Sequence, residues 1–599
     1  MAPLRIAALV KQIPAFEEMA IGADGRLVRE GLELEMNPYC RRAVSQAVAL
    51  AGEHGGAVTV LTLGPPAAED TLREAIAWGL ERGVEIDGVL LTDPACAGSD
   101  TLATARAVVA ALNRTGPFDL VLTGRNSVDA DTGQVPPAIA ELTGLAFLTG
   151  VRNLTIDTNR VVHAGCEHDD GWIEAEVRLP VVLSAAERLI DPCKVEPAGR
   201  ASVPLERLRT FDADDLGPGP WGAAASRTVV GDIRVIESER LGARTPDASL
   251  SDQVERAVDL LVARGALDPA ESRGEETAEV PASLDDPSRI LAVVVEPDRD
   301  EITRELLGAA ATLGGAVHAL TTTPSDPDRL GAWGADVITQ LRGATVEEDV
   351  ARGVTEWARA HAPWAVLAPS TVWGREVATR CAAALDAGLV GDAVMLATDG
   401  DRLVAWKPAF GGALIAAITA TSAVQLVTVR AGMLPLLRPR TATARLVDLR
   451  VESHSRVRVL ARTRDDDLDV LADARAVVGI GQGVAPAEYG ALDPLLDALG
   501  AELAATRKVT DQGWLPRARQ IGITGRSIAP RLYVAIGLSG KFNHMVGVRA
   551  ATTVLAINNQ PDALVFDGAD IGIIGDWHEV VPLLVGAIMS RHPGRPAAR

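Results

Sequence analysis

The chain has 599 residues, more than one hydrophobic core organises, so three or four domains are expected. With 47% hydrophobic and 23% charged residues it has the composition of a folded protein, which excludes wholesale disorder. The 80 acidic against 58 basic residues leave a net charge of −22, which repels phosphate backbones and anionic bilayers and argues against a nucleic-acid partner.

In chain order, the apolar run 6–10 is too short for a secretory segment and reads as a first strand. Strand-like segments 57–63, 88–91 and 120–123 then alternate with helix-like segments 40–51, 70–80, 101–112 and about 134–142. That alternation is the pattern of a parallel sheet with crossover helices. Further strands are expected around Val161 and over 177–184, before Pro/Gly punctuation at 215–220. A strand over 229–236 and an amphipathic helix over 251–264 follow, the helix carrying Val254, Ala257, Val258, Leu261 and Val262 on one face. Residues 269–288 are acidic and poor in apolar side chains, as in a solvated linker.

The alternation restarts at 290–295, 301–313 and 317–321, and Trp364-Ala-Val-Leu-Ala-Pro-Ser370 repeats the plan of Phe118-Asp-Leu-Val-Leu-Thr-Gly124. Residues 410–429 form the one long uncharged stretch. Their Gly, Ser422, Gln425 and β-branched content favours strands over direct membrane insertion. A third α/β region has strands expected at 477–478, 502–505, 532–537, 553–558 and 571–574. The five cysteines, Cys40, Cys96, Cys166, Cys193 and Cys381, form no C-x-x-C pair, so a reducing, cytoplasmic compartment is expected.

Chemistry-bearing residues gather in the turns. Gly479, Gly481 and Gly483 follow a strand and precede a helix; a phosphate seat, a nicotinamide dinucleotide site and a plain capping turn all suit them. Downstream, Arg507, the stretch from Gln520 through Gly522 and Thr524 to Gly525, Ser539, His544, Asn558 and Asp570 lie in or beside Gly turns. There they are expected at the carboxyl edge of a sheet, offering donors to a nucleotide, with positive charge from Arg507 and His544. In the first region Asp129, Thr132, Gly133, Gln134 and Val135 open a helix. They suit a mononucleotide phosphate, or Asp129 or Asp131 serves only as an N-cap. No Ser-His-Asp, H-E-x-x-H or Cys/His ladder is present, so no catalytic or metal residues are expected.

Residues 520–525, 537–544, 556–561 and 568–575 resemble the flavin domain of the electron transfer flavoprotein alpha subunit. Pro408 to Gly412 and Thr428-Val-Arg430 resemble that subunit's N-terminal domain. Val10-Lys11, Met36-Asn-Pro38, Thr71-Leu-Arg73 and 129–135 resemble the beta subunit. The resemblance implies beta-like and alpha-like halves fused as a pseudo-heterodimer in one chain. The implied fold is α/β: two related doubly wound parallel-sheet domains plus a C-terminal α/β FAD-binding domain. The implied bounds are a beta-like domain with its arm (1–268), the linker (269–288), an alpha-like domain (289–466) and the FAD-binding domain (467–599).

The resemblance further implies one FAD held by Arg507, Gln520, Gly522, Thr524, Gly525, Ser539, His544, Asn558 and Asp570. AMP, or a second FAD in a bifurcating version, would occupy 129–135. The chain would be an electron carrier rather than a substrate-transforming enzyme, taking electrons from flavin dehydrogenases and passing them to a membrane quinone oxidoreductase. An adenine-nucleotide-binding regulatory scaffold is the alternative from another class. Two departures stand out: Gln482 replaces the family's basic residue in the Gly-rich turn, and Ile523 replaces its second glutamine. The segment 185–193, where a dehydrogenase-docking loop is expected, also departs from the family's usual pattern.

Overall fold

The computed structural model describes residues 2–14, 20–21, 27–28, 33–169, 171–235, 240–267, 278–282, 289–409, 414–464, 470–471, 474–522 and 528–591. The chain packs into two compact units. One comprises Met1–Arg234, Glu275–Ala409 and Ile415–Arg464; the other comprises Val235–Gly274, Phe410–Leu414 and Asp465–Arg599.

In the first unit, strands Arg5–Leu9, Ala57–Leu63, Glu85–Leu91 and Leu120–Gly124 are parallel, with the first strand between the second and the fourth. Helices Pro38–His54, Glu69–Leu80, Thr101–Thr115 and Val135–Thr143 make the crossovers. Pro38 sets the first turn of its helix, where no intrahelical N–H is needed, and Gly55 ends it at φ 68. The strands are apolar on both faces: Ile6 and Ala8 enter one core, Ala7 and Leu9 the other.

Beyond Val181–Ala185 the sheet continues as Ala146–Ile156, Val161–His168, Gly171–Arg178 and Arg458–Arg464, the last three antiparallel. The single strand expected over 177–184 is two strands, because the chain turns at Leu179-Pro180 and returns parallel to Leu120–Gly124. Strands Ala146–Ile156 and Arg458–Arg464 are not legible in the sequence; the latter is rich in Arg and pairs only as an edge.

The second sheet repeats the same core order. Val337–Arg342, Ala316–Thr321, Ile290–Val294 and Ala365–Pro369 are adjacent and parallel, flanked by Gln425–Val429 on one side and Arg445–Arg450 on the other. The uncharged stretch expected to be strand contains Leu414–Ala420 and Gln425–Val429. Among the described residues no helix is long and apolar enough to cross a membrane.

The two sheet domains of this unit meet along helices Val135–Thr143 and Val372–Leu385. There Arg380, 2% exposed, donates to Glu376 at 3.0 Å and to Glu141 at 3.3 Å. A cavity beside it is lined by Cys166, Glu347, Glu348, Glu376 and Arg380. Burial pushes the Glu376 carboxyl up to about 8 against the pull of Arg380, and Glu347 and Glu348 add to the rise.

The folded chain therefore holds a proton on Glu376 that the unfolded chain releases above its ordinary value near 4.5. Its contribution to stability is complete below that value and is lost as pH rises through about 8. We expect stability to fall by about 1.4 kcal/mol per pH unit at most across this window, and Glu376→Gln to flatten the slope. Denaturant midpoints of both proteins between pH 5 and 9 measure this; parallel profiles would refute it.

The C-terminal unit is a six-stranded parallel sheet. In chain order its main strands are Ala476–Ile480, Ala501–Ala505, Leu532–Ile536, Thr553–Asn558 and Ile571–Ile574. Their spatial order is second, first, third, fourth, fifth, with Ala243–Arg244 added beyond the last. Helix Leu250–Ala263 buries Val254, Ala257, Val258 and Leu261 in the core beneath the sheet, beside helices Asp493–Leu499 and Trp577–Arg591. Residues 240–267 are thus a structural layer of this unit. The opposite face is covered by turns and short helices around Ile521, Val548 and Phe566.

Candidate functional site

In an open parallel sheet, ligands bind past the carboxyl ends of the strands, where the strand order reverses. In the C-terminal unit that point lies between Ala476–Ile480 and Leu532–Ile536, so the turns 481–485 and 537–541 flank it. Glycine is required there. A Cβ at Gly481 would overlap the carbonyl of Gly537, and one at Gly540 would overlap the backbone of Val565. Gly537 and Gly540 also sit at φ +60 and +74.

Several amides of this turn pair are committed to backbone carbonyls. Gly481 N donates to Ile536 O at 3.0 Å, Gly483 N to Gly537 O at 3.1 Å, and Val484 N to Gly481 O at 3.3 Å. The Gly479, Gly481 and Gly483 series is therefore a device for close backbone packing, and those three N–H groups are not a phosphate cradle; Gly479 instead makes room for Tyr533.

Several of the residues singled out in the sequence converge here. Arg507 opens helix Arg507–Asp511 after strand Ala501–Ala505 and donates to Asp511 at 3.1 Å. Gln520 is fully buried, bridges in parallel to Ala505 and accepts from Thr510 Oγ1 at 2.8 Å. Gly522, at φ +127, lies against Gly547. Ser539 is exposed in the 537–541 turn. Asn558 Nδ2 donates to Leu538 O at 2.9 Å and Oδ1 accepts from Gln560 N at 2.8 Å, so its amide braces that turn. Thr524 and Gly525 lie outside the described residues, as does Ile523.

Two expectations require correction. His544 is buried, with Nε2 2.6 Å from the Tyr533 hydroxyl and Nδ1 3.2 Å from Ile521 O. A carbonyl only accepts, so Nδ1 carries the hydrogen and Nε2 accepts from Tyr533. Burial pushes this imidazole down to about 4. His544 is a neutral strut and supplies no positive charge at neutral pH.

Asp570 precedes strand Ile571–Ile574 and so lies at the amino edge, away from the other candidates. It accepts from Val554 N and from Arg240, each at 2.8 Å. The acidic residue two positions past the same strand, at its carboxyl edge, is Asp576, whose carboxylate accepts from His578 N at 3.0 Å. The Gly568-Ala-Asp570 motif lies on the amino side of this four-residue strand, and Asp576 on its carboxyl side.

In the first sheet the order reverses between Arg5–Leu9 and Leu120–Gly124. Lys11 and Asp129 meet across that point, with Lys11 Nζ 2.8 Å from both carboxylate oxygens and 3.0 Å from Ser127 Oγ. Neither Asp129 nor Asp131 caps the helix that follows: its N-cap is Gln134, which makes no side-chain capping bond. Gln134 is buried and accepts from Thr101 Oγ1 at 2.5 Å. Thr132 is half-buried, Gly133 has φ +64, and Val135 and Pro136 begin the helix. The carbonyl of Ala130 accepts from the buried Lys407 at 3.0 Å, a residue the sequence reading missed.

The second sheet is built differently at the equivalent point. Thr371 donates to Glu296 at 2.6 Å and accepts from Gly374 N at 2.9 Å, while Val372 N donates to Asp169. Side chains thus occupy the helix start that the first sheet leaves uncapped. Among the described residues no cluster suits a metal ion, and all five cysteines are free and buried.

An electron transfer flavoprotein domain matches residues 24–210 and again 293–453, and an electron transfer flavoprotein FAD-binding domain matches 470–549. The chain is similar to the electron transfer flavoprotein subunit alpha of Thermoanaerobacterium thermosaccharolyticum, 33% identical over 306 residues, which are 47% of this chain and 92% of that protein. It is also similar to the subunit alpha of Mycobacterium leprae, 32% identical over 304 residues, 49% and 94% of the two chains. The protein FixB of Salmonella typhimurium is 30% identical over 310 residues, 50% of this chain and 99% of its own. Most of both sheet domains of the first unit, though not strands Arg5–Leu9 and Arg458–Arg464, and the reversal point of the C-terminal sheet fall within the matched segments, and the chain belongs to the electron transfer flavoprotein family.

Proposed function

We propose that this chain is an electron carrier with one FAD at the carboxyl edge of the C-terminal sheet. The observation that carries this reading is the coincidence of the matched FAD-binding segment with the strand-order reversal, flanked by the turns 481–485 and 537–541. Small residues keep those turns low, and exposed Gln482, Ser539 and Lys541 rise from them, which suits a long polar dinucleotide. Flavin supplies the reversible one- and two-electron chemistry. Arg507 would lie beside the ring as the cationic group that favours its reduced, negatively charged form. Gln520, Gly522, Thr524, Gly525, Ser539 and Asn558 would shape the surrounding pocket.

The first half is read as beta-like and the second as alpha-like, fused in one polypeptide. AMP would sit at Asp129 to Val135, where the helix start lacks a side-chain cap. Electrons would pass from flavin dehydrogenases to a membrane quinone oxidoreductase, in a reducing, cytoplasmic setting. Purified chain should be yellow and release one FAD and one AMP per polypeptide on denaturation. Two FAD would instead indicate the bifurcating form. AMP alone, with no FAD taken up on reconstitution, would overturn the electron-carrier reading in favour of a regulatory scaffold.

A further inference from the structure

We propose that Lys541 supplies the positive charge that holds the pyrophosphate of the dinucleotide, a role Gln482 does not fill in this chain. The inference rests on FAD binding at the C-terminal sheet. The two turns that flank the reversal point read Gly481-Gln-Gly-Val-Ala485 and Gly537-Leu-Ser-Gly-Lys541, and Lys541 is their one cationic side chain.

The turns are locked to each other by backbone contacts at Gly481, Gly483 and Gly537, so Lys541 has a fixed base beside the crevice. Its carbonyl accepts from His544 N at 3.0 Å and Met545 N at 3.2 Å, which anchors the residue while its side chain stays exposed. It makes no ion pair with any described residue.

Among the described residues the other cations at this edge are placed or engaged elsewhere, Lys508 lying with Arg507 on helix Arg507–Asp511. Arg507 follows strand Ala501–Ala505, two strands and so about 10 Å from Leu532–Ile536, and pairs with Asp511. His578 is held between Glu488 at 3.0 Å and Asp576 at 2.7 Å. The amides of Gly481, Gly483, Val484 and Gly537 are spent on backbone bonds, so the two negative charges of a pyrophosphate beside them favour a side-chain cation. Lysine suits this position as a compact charge on a flexible four-carbon stem.

The test uses the full chain stripped of flavin and titrated with FAD and with riboflavin, which lacks phosphate. Lys541→Met should weaken FAD binding tenfold or more, leave riboflavin binding unchanged, and abolish most of the weakening that 0.5 M salt causes in the native protein. Adding Gln482→Arg to Lys541→Met should recover most of the lost affinity, because it returns a cation to the facing turn. Unchanged FAD affinity in Lys541→Met, or equal losses for FAD and riboflavin, would overturn the assignment. A native chain that binds neither flavin would fail at the underlying reading, and that outcome is separate because it appears before any substitution is made.

Discussion

Asp570→Ala is expected to destabilise the C-terminal unit by about 2–3 kcal/mol, because it leaves the buried Val554 amide unsatisfied and strips the counter-charge from the part-buried Arg240. Asp570 is 1% exposed and accepts from the Val554 amide and from Arg240, with Arg264 at 3.5 Å. Arg240 also donates to the carbonyls of Arg549 and Ala551 at 2.9 and 3.0 Å, and Arg264 to that of Thr552 at 3.0 Å. Removing the carboxylate leaves these guanidinium groups crowded at one sheet edge with only carbonyls to hold them. The segment 240–267, which carries both arginines into this unit, should then loosen and become open to proteolysis. Asp570→Asn should lie between, since its amide oxygen still accepts from Val554. Chemical denaturation with peptide mapping of 240–267 measures this, and a native-like midpoint for the alanine variant would refute it.

Gly540→Ala is expected to cost at least about 2 kcal/mol and to release flavin. The left-handed backbone at φ +74 contributes roughly 1–2 kcal/mol for any side chain. Overlap of the new methyl with the Val565 backbone contributes a further 1–3 or so. Neither strain relaxes by rotating a side chain, because the opposing atoms are the main chain of the helical turn Leu564–Phe566. The 537–541 turn must move, and with it the edge on which the dinucleotide would rest. Gly586→Ala is the matched control. It lies exposed in helix Trp577–Arg591 with open space around it, and should gain up to about 1 kcal/mol from helix propensity. Thermal unfolding and FAD retention on gel filtration distinguish the two; a flavin-bound, native-like Gly540→Ala protein would refute the first.

Strands such as 57–63, 553–558 and 571–574 are legible residue for residue, because a buried parallel strand is a short apolar run bounded by turns. Arg445–Arg450 and Arg458–Arg464 are not. They are exposed, carry charge at several positions and exist as strands because neighbouring edges offer them hydrogen bonds. The same division applies to the site. Arg507, Gln520, Ser539 and Asn558 announce themselves as polar residues in glycine turns, and the turns do gather at one edge.

The residue types and the order of elements were written in the sequence: an α/β chain, its restart near 290, its glycine-rich last third and its family. The strand order was not, because pairing joins residues far apart in the chain. That order decided that Asp570 faces the amino edge, that Lys11 meets Asp129, and that residues 240–267 serve the C-terminal sheet. Burial likewise decided that His544 is neutral, since a side chain's charge depends on what surrounds it and not on its own chemistry alone.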